Sequence, residues 1–256
     1  MSRFEKFLKS SNQVMNEDAY RKDPGVLDAD MVEQDLGRMT ISGAINKTFI
    51  LMGLMLITAV VGYNLVASLG SLLIWGGAIG GIIVVFIAAR NPKLSPTLAP
   101  IYALLEGLFV GAISAVYAQF MDGIIFQAVS LTFAVLFMML FIYKSGLIKV
   151  TEKFRAGVVM ATGAVVIVYL ASFVLSFFGI NLPYLHEGGA IGIGISLVII
   201  GIAALNLLLD FDNFEKGEAY GAPAYMEWFS AMGLLITLVW LYVEILRLLA
   251  IFSSSD

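Results

Sequence analysis

The sequence predicts an all-α membrane protein with seven transmembrane helices, and three observations carry that prediction. Of the 256 residues, 60% are hydrophobic and only 13% are charged, against roughly 25% charged in an ordinary soluble domain. The charge is gathered into a few stretches. Between them lie apolar runs long enough to cross a hydrocarbon core, for which about 20 residues are needed. The basic residues fall between alternate runs, as loops on one side of a bilayer require.

Residues 1–46 are polar and of mixed charge. They lack the short basic start and apolar stretch of a cleaved signal peptide. They read as a largely flexible N-terminal tail, with Phe4, Phe7 and Leu8 offering one weak amphipathic turn. The membrane domain occupies 47–252, and 253–256 form a short C-terminal tail. The apolar runs place spans at Thr48–Val66, Ser71–Ala89, Leu98–Phe120, Gly123–Tyr143, Gly157–Gly179, Gly188–Phe211 and Phe229–Phe252. Connections as short as Ser68-Leu69-Gly70, Asn91-Pro92-Lys93 and Met121-Asp122 make neighbouring spans antiparallel hairpins. Of the 15 Lys and Arg, all but Arg247 precede the first span or follow the second, fourth or sixth. The positive-inside rule then puts the N-terminus in the cytoplasm and, seven spans on, the C-terminus outside, in a cell's inner membrane. The Asn46-Lys47-Thr48 sequon falls on the cytoplasmic side of that topology.

Small residues mark where helices approach closely. Gly76/Gly80 and Gly77/Gly81 overlap on the second span, Gly107/Gly111 lie on the third and Gly188/Gly192 on the sixth. Such pairs let backbones pack in lipid, within one chain or between two.

Several chemistries are excluded. There is no cysteine, hence no disulfide and no thiolate nucleophile or metal ligand. Gly194-Ile195-Ser196 resembles an intramembrane serine-protease motif, but the single histidine, His186, precedes it and none follows to act as base. No HExxH zinc motif and no phosphate-binding GxxxxGK[ST] loop occurs. No span holds a lysine for retinal, and a net charge of −4 argues against nucleic acid as a partner. The chain reads as a non-enzyme with no resident cofactor or metal.

Ionisable groups inside a span are expensive and mark function. Glu106 sits near the middle of the third span. Asp210 and Asp212 close the sixth, with Asn206 one turn earlier, and Glu244 and Arg247 lie in the outer half of the seventh. On a rise of about 1.5 Å per residue, Asp210 is near the inner surface, Glu106 about 12 Å deep and Glu244 about 22 Å deep. Tyr102, Glu106, Ser114 and Tyr117 share one face of their helix, which should turn inward. Glu244 and Arg247, three residues apart, are spaced to neutralise each other. Asp210 and Asp212 are either solvated end groups or part of an ion path. Glu106 has no cation on its own helix; it is either a protonated acid making a structural hydrogen bond or the strongest candidate for a pH sensor or ion-path residue.

Three stretches carry a family resemblance: MTISGAINKTFI at the first span, EGLFVGAISAVY on the third, and LLLDFDNFEKGEAYGAPAYMEWFSAMGLLITLVWLYVEILRLL at the end. Over roughly residues 35–251 the chain resembles the Bax inhibitor family of membrane proteins, in its bacterial branch. The resemblance implies a seven-helix fold with the last helix central, wrapped by the other six. It also implies a proton-sensitive calcium leak, sensed by a pair of aspartates on the last two helices. The first aspartate corresponds to Asp210 or Asp212. The place of the second falls near Thr237, which is not acidic, and Glu106 is our candidate for the missing carboxylate.

Two functions from different classes follow. The first is a proton-sensitive passive cation leak channel or exchanger. Calcium is the expected ion, since carboxylates and carbonyls are hard oxygen donors. So few acids make only a weak, transient Ca²⁺ site, which suits conduction. The second is a non-transporting regulator that binds other membrane proteins, such as a membrane protease, through its GxxxG faces and N-terminal tail. The expected partners are the lipid bilayer, Ca²⁺ and H⁺, or those other membrane proteins.

Overall fold

The computed structural model describes residues 37–179 and 189–253. Most of the N-terminal tail, the connection carrying His186 and Gly188, and residues 254–256 lie outside the described residues. Among the described residues, seven helices are long and apolar enough to cross a membrane. They are α1 (Ile41–Leu69), α2 (Ser71–Arg90), α3 (Ser95–Tyr117), α4 (Ile124–Lys144), α5 (Glu152–Ser176), α6 (Ala190–Ala219) and α7 (Tyr225–Ser253), with one 3₁₀ turn, Pro92–Leu94, leading into α3.

Several helices outrun the apolar segments that announce them, because their ends are set by polar caps. The Thr40 hydroxyl accepts from the Gly43 N–H at 2.9 Å, so α1 begins at Ile41 rather than at Thr48. Thr151 caps α5 in the same way, accepting from the Phe154 N–H at 3.2 Å. Glu152 then lies in the first turn, where the helix dipole favours an acid. Gly70 is the single residue between α1 and α2, and its φ of 52° is open to glycine at little cost. Gly221, with φ of 63°, serves the turn between α6 and α7.

The described residues gather into two compact units, each discontinuous in sequence. The first joins residues 37–115 to Leu209–Ile236. The second joins Val116–Leu208 to residues 237–253.

In the first unit, α3 lies backbone to backbone on its neighbours through glycines. A Cβ at Gly111 would meet the Ala59 carbonyl of α1, lying 2.7 Å from its carbon and 2.8 Å from the Tyr63 nitrogen. One at Gly62 would stand 2.9 Å from the Leu108 Cα, and one at Gly77 2.8 Å from the Phe109 Cβ. The Gly107/Gly111 and Gly77/Gly81 spacings therefore serve packing within the chain, whereas Gly76 faces open space.

Burial is uneven. In α7 67% of the apolar window is buried, against 17–50% in the other six. Phe229, Leu235 and Leu241 of that helix are wholly enclosed. Elsewhere large apolar side chains such as Phe49, Leu72, Phe126, Phe137 and Ile167 are exposed. A monomer in water would not tolerate so many, whereas lipid-facing surface requires them.

Candidate functional site

The first unit holds Glu106. It is 9% exposed, on α3, one turn beyond the buried Tyr102, and the two side chains meet at Gly81 of α2. The carboxylate lies over the bare backbone of α2 at Gly81. A Cβ there would stand 2.8 Å from Glu106 Oε2 and 3.4 Å from Tyr102 Cε2. Glycine at position 81 thus makes room for an acid and a phenol between two close-packed helices. Ser114, on the same face of α3, is buried and donates to the Val110 carbonyl at 2.6 Å, while Tyr117 is half-buried. Among the described residues no cation pairs with Glu106, and neither Asp210 nor Asp212 shares a hydrogen bond with it.

The two aspartates of α6 differ sharply. Asp210 is 2% exposed, whereas Asp212 is half-buried and lies 3.2 Å from Lys216 Nζ, one turn along the helix. The structure therefore buries Asp210 and leaves Asp212 half-buried beside Lys216, where the sequence leaves both readings open for both residues.

The second unit gathers a polar network around Glu244. Arg247 Nη2 donates to Glu244 Oε1 and, at 3.1 Å, to the Ser196 hydroxyl of α6. Tyr169 of α5 donates to Glu244 Oε2 at 2.9 Å, and the Arg247 guanidinium sits 5.5 Å from the centre of its ring. The same-helix neutralisation expected from the spacing is present, and it is reinforced from two further helices. Tyr169 and Ser196 escaped sequence reading in this role because lone hydroxyls are ordinary in apolar helices. Asn206 is buried and donates to the Thr162 hydroxyl at 2.8 Å and to the Ile202 carbonyl at 2.9 Å. Thr237 is also buried. Arg155, which counts among the basic loop residues in the orientation argument, is 1% exposed in the first turn of α5. The polar residues around it gave no warning of that burial.

A further acid went unnoticed because it lies just outside the seventh apolar run. Glu227, in the first turn of α7, accepts from both the N–H and the hydroxyl of Thr40, each at 3.0 Å. Lys47 Nζ is 3.8 Å from its other oxygen and 5.3 Å from the centre of the Trp228 ring. Glu218 of α6 accepts from the Ile41 N–H at 3.2 Å. Two acids thus satisfy backbone donors that the start of α1 leaves without helical partners. Among the described residues, no three His, Cys, Asp or Glu side chains are grouped to hold a metal ion.

Fold and site together define a multi-pass helical membrane protein with the carboxylates of Glu106, Asp210 and Glu244 buried in its helices. The chain belongs to the Bax inhibitor family: a family model described as Bax inhibitor 1 like matches residues 5–254, nearly the whole length. A search of curated proteins found no match.

Proposed function

We propose that this protein is a proton-sensitive passive leak for cations, with calcium as the main ion. The reading rests on Glu106, a carboxylate buried in an apolar helix beside Tyr102 that pairs with no cation among the described residues. A purely structural core gains nothing from such an acid, because burying a carboxylate without full compensation is costly. An oxygen ligand of this kind can bind a passing Ca²⁺ weakly, or a proton in its place. Family membership makes a transport role the natural one. We assign Asp210, the more deeply buried of the two aspartates, as the α6 partner in proton sensing. Thr237 stands near the place of the family's second aspartate, and Glu106 supplies a carboxylate from another helix. Since Glu106 and Asp210 share no hydrogen bond in this state, sensing requires a change of helix packing and not a preformed pair. In this reading the N-terminus is cytoplasmic and the protein resides in the cell's inner membrane.

The test is Ca²⁺ flux into pure-lipid vesicles carrying an entrapped calcium dye, measured without ATP across a range of pH. Wild-type protein should pass Ca²⁺ in a pH-dependent way. Glu106→Gln should flatten that dependence, and Thr237→Ala should leave it in place. Identical traces with and without protein would reject the leak and favour a regulator of other membrane proteins.

A further inference from the structure

We propose that residues 37–40 form a releasable latch, locked by the Glu227 carboxylate onto the turn between α6 and α7, and that its closure restrains the leak. The second half rests on the leak reading above; the first half does not.

The latch is built from few parts. Met39 N–H donates to the Ala222 carbonyl at 2.7 Å and Ala224 N–H to the Gly37 carbonyl at 3.1 Å, with Arg38 opposite Pro223 in an antiparallel bridge. Two backbone hydrogen bonds are too few to hold two strands together, since even a whole isolated hairpin is marginal. The lock is the Glu227 side chain, which takes both Thr40 donors in charge-assisted hydrogen bonds. The Thr40 hydroxyl meanwhile accepts from Gly43 N–H, so one side chain both caps α1 and grips α7. Met39, buried behind the bridge, has its sulfur 3.9 Å from the Ser230 hydroxyl.

Position 43 shows how close the fit is. A Cβ there would collide with the Glu227 carboxylate. The atoms in the way are the tip of a flexible side chain, so an alanine would push the lock aside without disturbing the backbone of α1. Residues 37, 38 and 40 are exposed, so a pull on this stretch of chain is carried by the contact with Glu227. Strain on that chain would reach both the first turn of α1 and the α6–α7 turn.

Because the chain has no cysteine, introduced thiols report alone. Met39→Cys should react slowly with a membrane-impermeant maleimide. Adding Gly43→Ala or Glu227→Gln should speed the reaction at least tenfold with little change in thermal stability, and should raise Ca²⁺ flux several-fold in vesicles. The pair Arg38→Cys with Pro223→Cys occupies a non-hydrogen-bonded antiparallel position, where Cα atoms lie about 4.5 Å apart and a disulfide fits. Oxidation should lower flux below that of Arg38→Cys alone, and reduction should restore it. Unchanged labelling in both lock variants would overturn the latch, whatever the flux. Faster labelling with unchanged flux in an active wild type would overturn its control of the leak. Faster labelling with no flux from any protein, wild type included, would uphold the latch and reject the leak, along with the control of it proposed here.

Discussion

Replacing Gly81 with alanine should separate the carboxylate of Glu106 from the packing around it. The new Cβ would lie 2.8 Å from Glu106 Oε2, so the carboxylate must retreat by about 0.5 Å to reach an ordinary carbon–oxygen separation of about 3.3 Å. The obstacle is the end of a flexible side chain, and the loss of stability should stay near 1 kcal/mol, the low end for overpacking. Gly111→Ala is the contrast. There the Cβ meets backbone, 2.7 Å from the Ala59 carbonyl carbon and 2.8 Å from the Tyr63 nitrogen. That backbone cannot yield without moving α1, and a loss of about 3 kcal/mol is expected. At about 2–4 °C per kcal/mol for a chain of this size, thermal unfolding in detergent should resolve the two variants. Vesicle flux should then show Gly81→Ala with near-normal stability and an altered flux–pH curve, because the Tyr102–Glu106 contact has been displaced. An unchanged curve would mean that the position of Glu106 has no bearing on transport. Equal destabilisation by the two alanines would mean that the Gly81 contact is rigid packing and not a displaceable acid.

The remaining predictions concern the other polar groups. Arg247→Gln leaves the buried Glu244 with Tyr169 but without its guanidinium, and breaking such a pair costs about 3–5 kcal/mol. The lower end is expected here, and Glu244→Leu with Arg247→Met should recover most of it. A double variant no more stable than the single one in thermal unfolding would show that the pair is not what holds these helices. Asp212→Asn removes an i, i+4 pair with Lys216 on a half-buried helix face and should lower stability by about 0.5 kcal/mol. Asp210→Asn, at a far more buried site, should have the larger effect on unfolding and on the flux–pH curve, and the reverse order would exchange the roles assigned to the two aspartates. A reporter fused after Asp256 should be active only in a form that works outside the cytoplasm; cytoplasmic activity would refute the topology argued from the basic residues.

Much of this protein is written in local pattern. Seven apolar runs between charged stretches define seven helices, the i, i+4 spacing turns Tyr102 and Glu106 to one face, and the i, i+3 spacing of Glu244 and Arg247 foretells their pairing. Small residues four apart announce close packing without naming the partner. Tertiary structure decided the partners, because these come from far along the chain: Tyr169 lies 75 positions from Glu244, Ser196 51 from Arg247, and Thr40 187 from Glu227. It also decided between Asp210 and Asp212. Residues two apart on a helix point to nearly opposite sides, so neighbouring sequence offers both faces equally, and only the surrounding helices determine which acid is buried. The same holds for Gly81. Nothing in its flanking residues distinguishes it from Gly76, and it becomes part of the site only because α3 lays a carboxylate against it.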